Sequence, residues 1–184
     1  MAKRKGASGQ PLAIELLEAD HRKVEALFEE YEAEKEGDDE TKLGIARKIC
    51  AELTVHAQVE EEIFYPWLRE NLDEEDMEML EEAYVEHASA KDLIAQIEGA
   101  EEVDETYDAK VKVLSEYIKH HVKEEENEIF AQVSDKKDEL DELGQAMAAL
   151  KAELAEELGL MDEQEVPKAA RGREGQRTPA RGQR

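Results

Sequence analysis

The sequence predicts an all-α protein: an antiparallel up-down-up-down four-helix bundle with an additional C-terminal helix and a disordered basic tail. Three observations lead there. Of the 184 residues, 40% are charged and only 10 are Gly and 4 are Pro, a balance that favours long helices with solvated outer faces. Apolar residues recur at steps of three and four through four successive segments, the period of a helix with one buried face. The second pair of segments repeats the first, and short connections between neighbouring helices make them antiparallel.

Residues 1–10 read as a disordered lead, and Pro11 suits the first turn of a helix, where its missing N–H costs nothing. The first stripe is Ile14, Leu17, His21, Val24, Phe28 and Tyr31, with Gly37 as the stop and Asp38 or Asp39 as the next cap. The second is Ile45, Ile49, Leu53, His56, Glu60, Ile63 and Trp67, and Pro66 should kink or end it nearby. Asp73 is the expected cap of a third helix carrying Leu80, Ala83, His87, Ala90, Ile94 and Ile97, closed by Gly99. Asp104 caps a fourth, with Tyr107, Val111, Leu114, Ile118, His121, Glu125 and Ile129 in phase. The bundle is thus expected over residues 11–135. A further amphipathic helix over 136–160 places Leu140, Leu143, Met147, Leu150, Leu154 and Leu158 on one side. It either lies across the bundle or pairs with another protein or a second copy; the sequence leaves both open. Residues 161–184, with five arginines among Gly, Pro and Gln, read as the disordered tail.

The net charge of -25 argues against nucleic acid or an anionic membrane as partner of the folded body. No apolar run approaches the roughly 20 residues of a membrane span, and no apolar stretch follows the basic Lys3, Arg4 and Lys5, so no secretory signal is expected. The single Cys50 excludes an internal disulfide and suits a reducing compartment, so the expected location is the cytoplasm. Cys50 itself is read as a small buried residue.

The segment from His56 to Pro66 aligns without gaps on that from His121 to Ala131, and each is preceded by another core-phase histidine, His21 and His87. Each half therefore supplies one His, then His-x-x-x-Glu. A His and a Glu four apart share one helical face and can reach one metal. Burying carboxylates unpaired costs several kcal/mol each, at roughly the level seen for ions after relaxation, so His21, His56, Glu60, His87, His121 and Glu125 are expected to surround a cation. Imidazole and carboxylate without thiolate suit iron, manganese or zinc. Six protein ligands and two-fold repetition suggest two ions, with Glu60 and Glu125 as bridges and the histidines as terminal ligands. Remaining positions would hold an oxo or hydroxo bridge and an exogenous small molecule.

Asp20-His21, His56-x-x-x-Glu60 through Pro66, Glu86-His87 and His120-His121-x-x-x-Glu125 resemble the bacterial hemerythrin-like (HHE cation-binding) family over about residues 11–135. The resemblance implies two non-haem iron ions at those six positions. It also implies a small ligand or oxidant such as dioxygen, peroxide or nitric oxide, or else an iron or oxygen sensor without turnover. Oxygen carriers of the family have a fifth histidine four residues after the third; Lys91 stands there, which tells against simple reversible oxygen carriage. Glu61, Glu62, Glu124 and Glu126 are read as outer-face charges, one of which could orient an imbedded imidazole. His120 is placed at the surface or behind a ligand, Lys91 on a solvated flank or paired with a site carboxylate, and Phe64, Tyr65, Trp67 and Phe130 in the packing of the bundle end.

Overall fold

The computed structural model describes residues 11–100 and 102–160, and the expected lead and tail lie outside them. The described residues are helical, without strands: α1 (Leu12–Ala33), α2 (Asp39–Val59), α3 (Tyr65–Asn71), α4 (Met77–Glu98), α5 (Glu105–Glu124), α6 (Phe130–Val133) and α7 (Lys137–Glu157). A π-helical turn, Glu60–Phe64, joins α2 to α3, and another, Glu125–Ile129, joins α5 to α6. The bundle therefore has four long helical rods, with α1 beside α2, α2 beside α4, α4 beside α5 and α5 beside α1.

Local chemistry sets the ends of these rods. Asp38 accepts from the Thr41 N–H at 2.9 Å and Asp104 from the Tyr107 N–H at 2.7 Å, satisfying donors that the first turn of a helix leaves free. Asp73 instead precedes a short 3₁₀ turn, Glu74–Asp76, and makes no side-chain cap. Gly159 ends α7 at φ 69°, where a side chain would be strained, and the Leu160 N–H closes the turn on the Ala155 carbonyl.

The expected stripes are buried in α1 and α4 throughout. In the second rod the pattern slips: Ile63 and Trp67 are only partly buried, whereas Phe64, Tyr65 and Leu68 are buried. The cause is the π turn, which inserts one residue into the helical count and moves the inward face on by one. This break precedes Pro66, which sits in the first turn of α3. Because the second half has Ala131 at the matching position and the same π turn, proline does not cause it.

Helix α7 lies along α1 and α2 of its own chain, which settles the geometry left open by the sequence. Leu140, Gly144, Met147 and Leu154 face inward, and Leu158, expected in that stripe, is exposed. At Gly144 a Cβ would stand 2.5 Å from the Ala13 backbone nitrogen, so only glycine allows α1 and α7 this close. Asp141 accepts from the Leu12 N–H at 2.8 Å, capping α1 from a different helix.

Two apolar clusters fill the bundle. One gathers Leu17, Phe64, Leu80, Phe130 and Leu140 with their neighbours, and the other Val24, Phe28, Ile49, Ile94 and Leu114 with theirs. The buried polar residues His21, His56, Glu60, His87, His121 and Glu125 belong to neither and form a band between them.

Candidate metal centre

All six donors expected from the sequence are brought together. His21 comes from α1, His56 from α2, His87 from α4 and His121 from α5, while Glu60 and Glu125 open the two π turns. Each is at most 6% exposed. Donor atoms of His21, His56, Glu60 and Glu125 all lie within 4.8 Å of one another, and so do those of Glu60, His87 and His121. Glu60 is common to both groups. Glu125 joins the first group alone, so the two halves are less alike than the repeat suggests.

The inward nitrogens are the Nε2 atoms. His56 Nε2 is 3.1 Å and His87 Nε2 3.4 Å from the same oxygen of Glu60, and His21 Nε2 is 3.1 Å from Glu125. His87 Nε2 and His121 Nε2 stand 3.2 Å apart. Nevertheless both oxygens of Glu60, both oxygens of Glu125 and His21 Nε2 make no geometrically sound hydrogen bond. Acceptors buried without donors are costly, and their convergence on one point is what a cation site requires.

The outward nitrogens are held by carboxylates. His21 Nδ1 meets Glu126 at 2.8 Å, His87 Nδ1 meets Glu61 at 3.1 Å and His121 Nδ1 meets Glu86 at 2.8 Å. His56 Nδ1 faces Asp20 at the longer distance of 3.7 Å. A carboxylate behind an imidazole fixes the tautomer that leaves Nε2 free to bind a metal. Glu61 and Glu126, read from sequence as outer-face charges, therefore orient the site, and Lys91 is paired with Glu61 at 2.6 Å.

Charge within the cluster is poorly balanced by protons alone. Burial, and then the neighbouring Glu125 charge, push Glu60 up to about 7. Burial also acts on Glu125, but the His21 and His121 imidazoles outweigh it and hold Glu125 well below the ordinary carboxylate range. Burial and the charges of His121 and His56 push His87 down to about 4. For His56, burial is outweighed by Glu60, Asp20 and Glu125, which keep its pKa well above the usual value. Bound divalent ions would supply this positive charge without protonating the donors.

Sequence reasoning placed Tyr65 in the packing of the bundle end, where it is buried, but missed its approach to the cluster. Its hydroxyl lies 3.2 Å from His87 Nε2, and the side chain is fully buried. In an unbroken α-helix residue 65 would sit about 140° around from Glu60. The π turn, closed by the Tyr65 N–H on the Glu60 carbonyl, brings it back over the site. Phe130 takes the equivalent place in the second half and stacks 6.2 Å from His21, without a hydroxyl. No sequence period signals this, because the offset belongs to the π turn itself.

The sequence profile of the Hemerythrin HHE cation binding domain matches residues 12–133. The chain belongs to this family. The match spans the bundle and all six donors of this HHE domain, and stops before α7. A DNA nickase of Nostoc sp. (strain PCC 7120) is 30% identical over 129 residues, which cover 70% of this chain and 35% of that relative. The HHE chain thus spans about a third of that protein's length. No solved structure matches. Among the described residues, no helix is long and apolar enough to cross a membrane.

Proposed function

We propose that this HHE protein carries a two-iron non-haem centre, with His21, His56, His87 and His121 as terminal ligands and Glu60 and Glu125 as bridges, and that it binds or reacts with dioxygen, peroxide or nitric oxide. The observation that carries the reading is the set of four glutamate oxygens, fully buried and without hydrogen-bond partners, facing Nε2 atoms whose rings are oriented from behind. Bound iron would supply Lewis acidity and one-electron redox capacity. The chain's own residues bind through Nε2 and carboxylate oxygen, and Glu126, Glu61, Glu86 and Asp20 hold the rings in place.

The size of the guest follows from the cavity next to the histidines. It holds about 20 Å³, lined by Val24, Leu53, Ala90, Ile94 and Ile118 together with all four imidazoles. That is room for roughly one water-sized molecule, which suits a diatomic ligand. The apolar walls keep bulk water away from the reacting face. With a net charge of -25, the folded body is read as avoiding nucleic acid, and the single Cys50 suits the reducing cytoplasm. The nicking activity named for the Nostoc relative is not carried over.

Metal analysis with an optical spectrum under air tests the centre: about two irons per chain and near-ultraviolet absorption are expected, and protein prepared without chelators that holds no metal refutes it. Stopped-flow mixing with peroxide or nitric oxide then separates repeated turnover from a single stoichiometric change. The second outcome would favour an iron or oxygen sensor. One observation supports that alternative: Lys151 of α7 pairs with Asp20, which faces His56, so the added helix is tied to a proposed ligand. A partner of α7 would meet its outer face, since its apolar stripe is already packed against α1 and α2.

A further inference from the structure

Four carboxylates stand behind the four buried imidazoles, and three of them are neutralised by fixed cations. Arg22 pairs with Glu126 at 2.5 Å, Lys91 with Glu61 at 2.6 Å, and Lys151 with Asp20. The fourth, Glu86, pairs with no lysine or arginine among the described residues. Its basic neighbours are His121, which it orients, and the exposed His120, whose Nε2 lies 3.7 Å from Glu86 and 3.1 Å from Glu124. Donor atoms of Glu86, His120 and Glu124 all fall within 4.8 Å of one another.

The internal repeat sharpens the contrast. The offset that relates His56 to His121 places Val55 opposite His120 and Val59 opposite Glu124. In the first half both positions are buried valines in the cluster that α7 covers, and Lys151 reaches in to Asp20. In the second half the corresponding flank carries a histidine and a glutamate. A cleft opens there, lined by Glu82, Glu86, Glu124 and Glu128, with no lysine or arginine on its walls. It reaches Glu125, which is 1% exposed and whose two oxygens lack hydrogen-bond partners. Acidic walls concentrate cations, and here they lead from solvent to a buried carboxylate.

We propose that Glu86, His120 and Glu124 hold a divalent cation at the surface, and that this site passes cations along the cleft to the buried cluster. The imidazole and carboxylate donors suit Mn²⁺, Fe²⁺ or Zn²⁺. With His120 59% exposed, the ion keeps several waters and exchanges readily. The surface site stands on its own geometry, whereas its role in loading rests on the reading of the buried cluster as a metal centre.

The test uses the full chain stripped by chelator, with Mn²⁺ as probe, counting bound ions by equilibrium dialysis and electron paramagnetic resonance. H120Q/E124Q, whose altered residues are both outside the buried cluster, is expected to bind one Mn²⁺ fewer than the wild type. An equal count overturns the site. E60L/E125L removes the buried carboxylates and is expected to keep one exchangeable Mn²⁺; a variant that retains none also overturns it. For loading, anaerobic Fe²⁺ should fill the buried centre of H120Q/E124Q to the wild-type final stoichiometry, at least tenfold more slowly. An unchanged rate overturns the route. Single E124Q gives the same count should the double variant fold poorly. A wild type that binds only the one ion lost in H120Q/E124Q would uphold the surface site and refute the buried centre, so the two failures are distinct.

Discussion

Replacing Glu60 and Glu125 together by leucine separates the cost of burying charge from the gain of binding metal. Both side chains are at most 1% exposed, their oxygens lack hydrogen-bond partners, and burial and the Glu125 charge raise the cost of charging Glu60. Exchanging buried ionic groups for apolar ones of similar volume commonly stabilises a protein by about 1–4 kcal/mol. In excess chelator, E60L/E125L should therefore be more stable than the wild type by about that amount. A domain of this size gains about 2–4 °C in Tm per kcal/mol. Metal reverses the order. An ion at a hundred times its Kd adds about 2.7 kcal/mol, so two add about 5 kcal/mol, and the wild type should overtake a variant that gains nothing at the centre. The assay is urea and thermal unfolding followed by far-ultraviolet circular dichroism, in chelator and in anaerobic Fe²⁺. A double variant less stable than the wild type in chelator, or stabilised equally by iron, would refute the argument that these carboxylates are buried for a cation.

Three further outcomes follow from contacts away from the ligand atoms. Lys151→Met unties Asp20 from α7, so His56 loses its orientation and iron affinity should fall about tenfold; competition against a calibrated chelator reads this, and an unchanged affinity removes α7 from the site. Gly144→Ala forces a Cβ against backbone atoms of Leu12 and Ala13, and should cost about 1–3 kcal/mol, read as a lower urea midpoint. At the other end of the bundle, Asp108 accepts from Tyr31 at 2.7 Å and pairs with the buried Lys42 at 2.6 Å. Burial opposes its ionisation, but these partners outweigh it and lower its pKa from 3.8. Its stabilisation is therefore full above that value and lost as pH falls through the depressed folded value. Asp108→Asn should cost about 1–2 kcal/mol at neutral pH, a modest figure because the Asp108 side chain is 38% exposed. It should also reduce the pH dependence of stability in acid; a variant whose acid unfolding tracks the wild type contradicts the assignment.

Much of this molecule was legible in the sequence because helical period is a local property. The stripes of α1 and α4, the caps at Asp38 and Asp104, and the six inward donors each follow from residues three or four apart on one rod. Buried imidazole and carboxylate could be read as a site because their chemistry conflicts with the apolar residues beside them. The π turns were not legible, since an extra residue in the helical count leaves no period of its own. With them went the burial of Leu68 and the approach of the Tyr65 hydroxyl to His87. Only the tertiary structure decided which charges matter. Glu61 and Glu126 share helical surfaces with many other acids, and what distinguishes them is an imidazole presented by a helix far away in sequence. The same holds for α7: its stripe predicted a helix with something to cover, and packing against α1 and α2 specified what that was. Periodicity determines which face of a rod is buried, whereas the partner across the interface is set by the joint packing of all the rods.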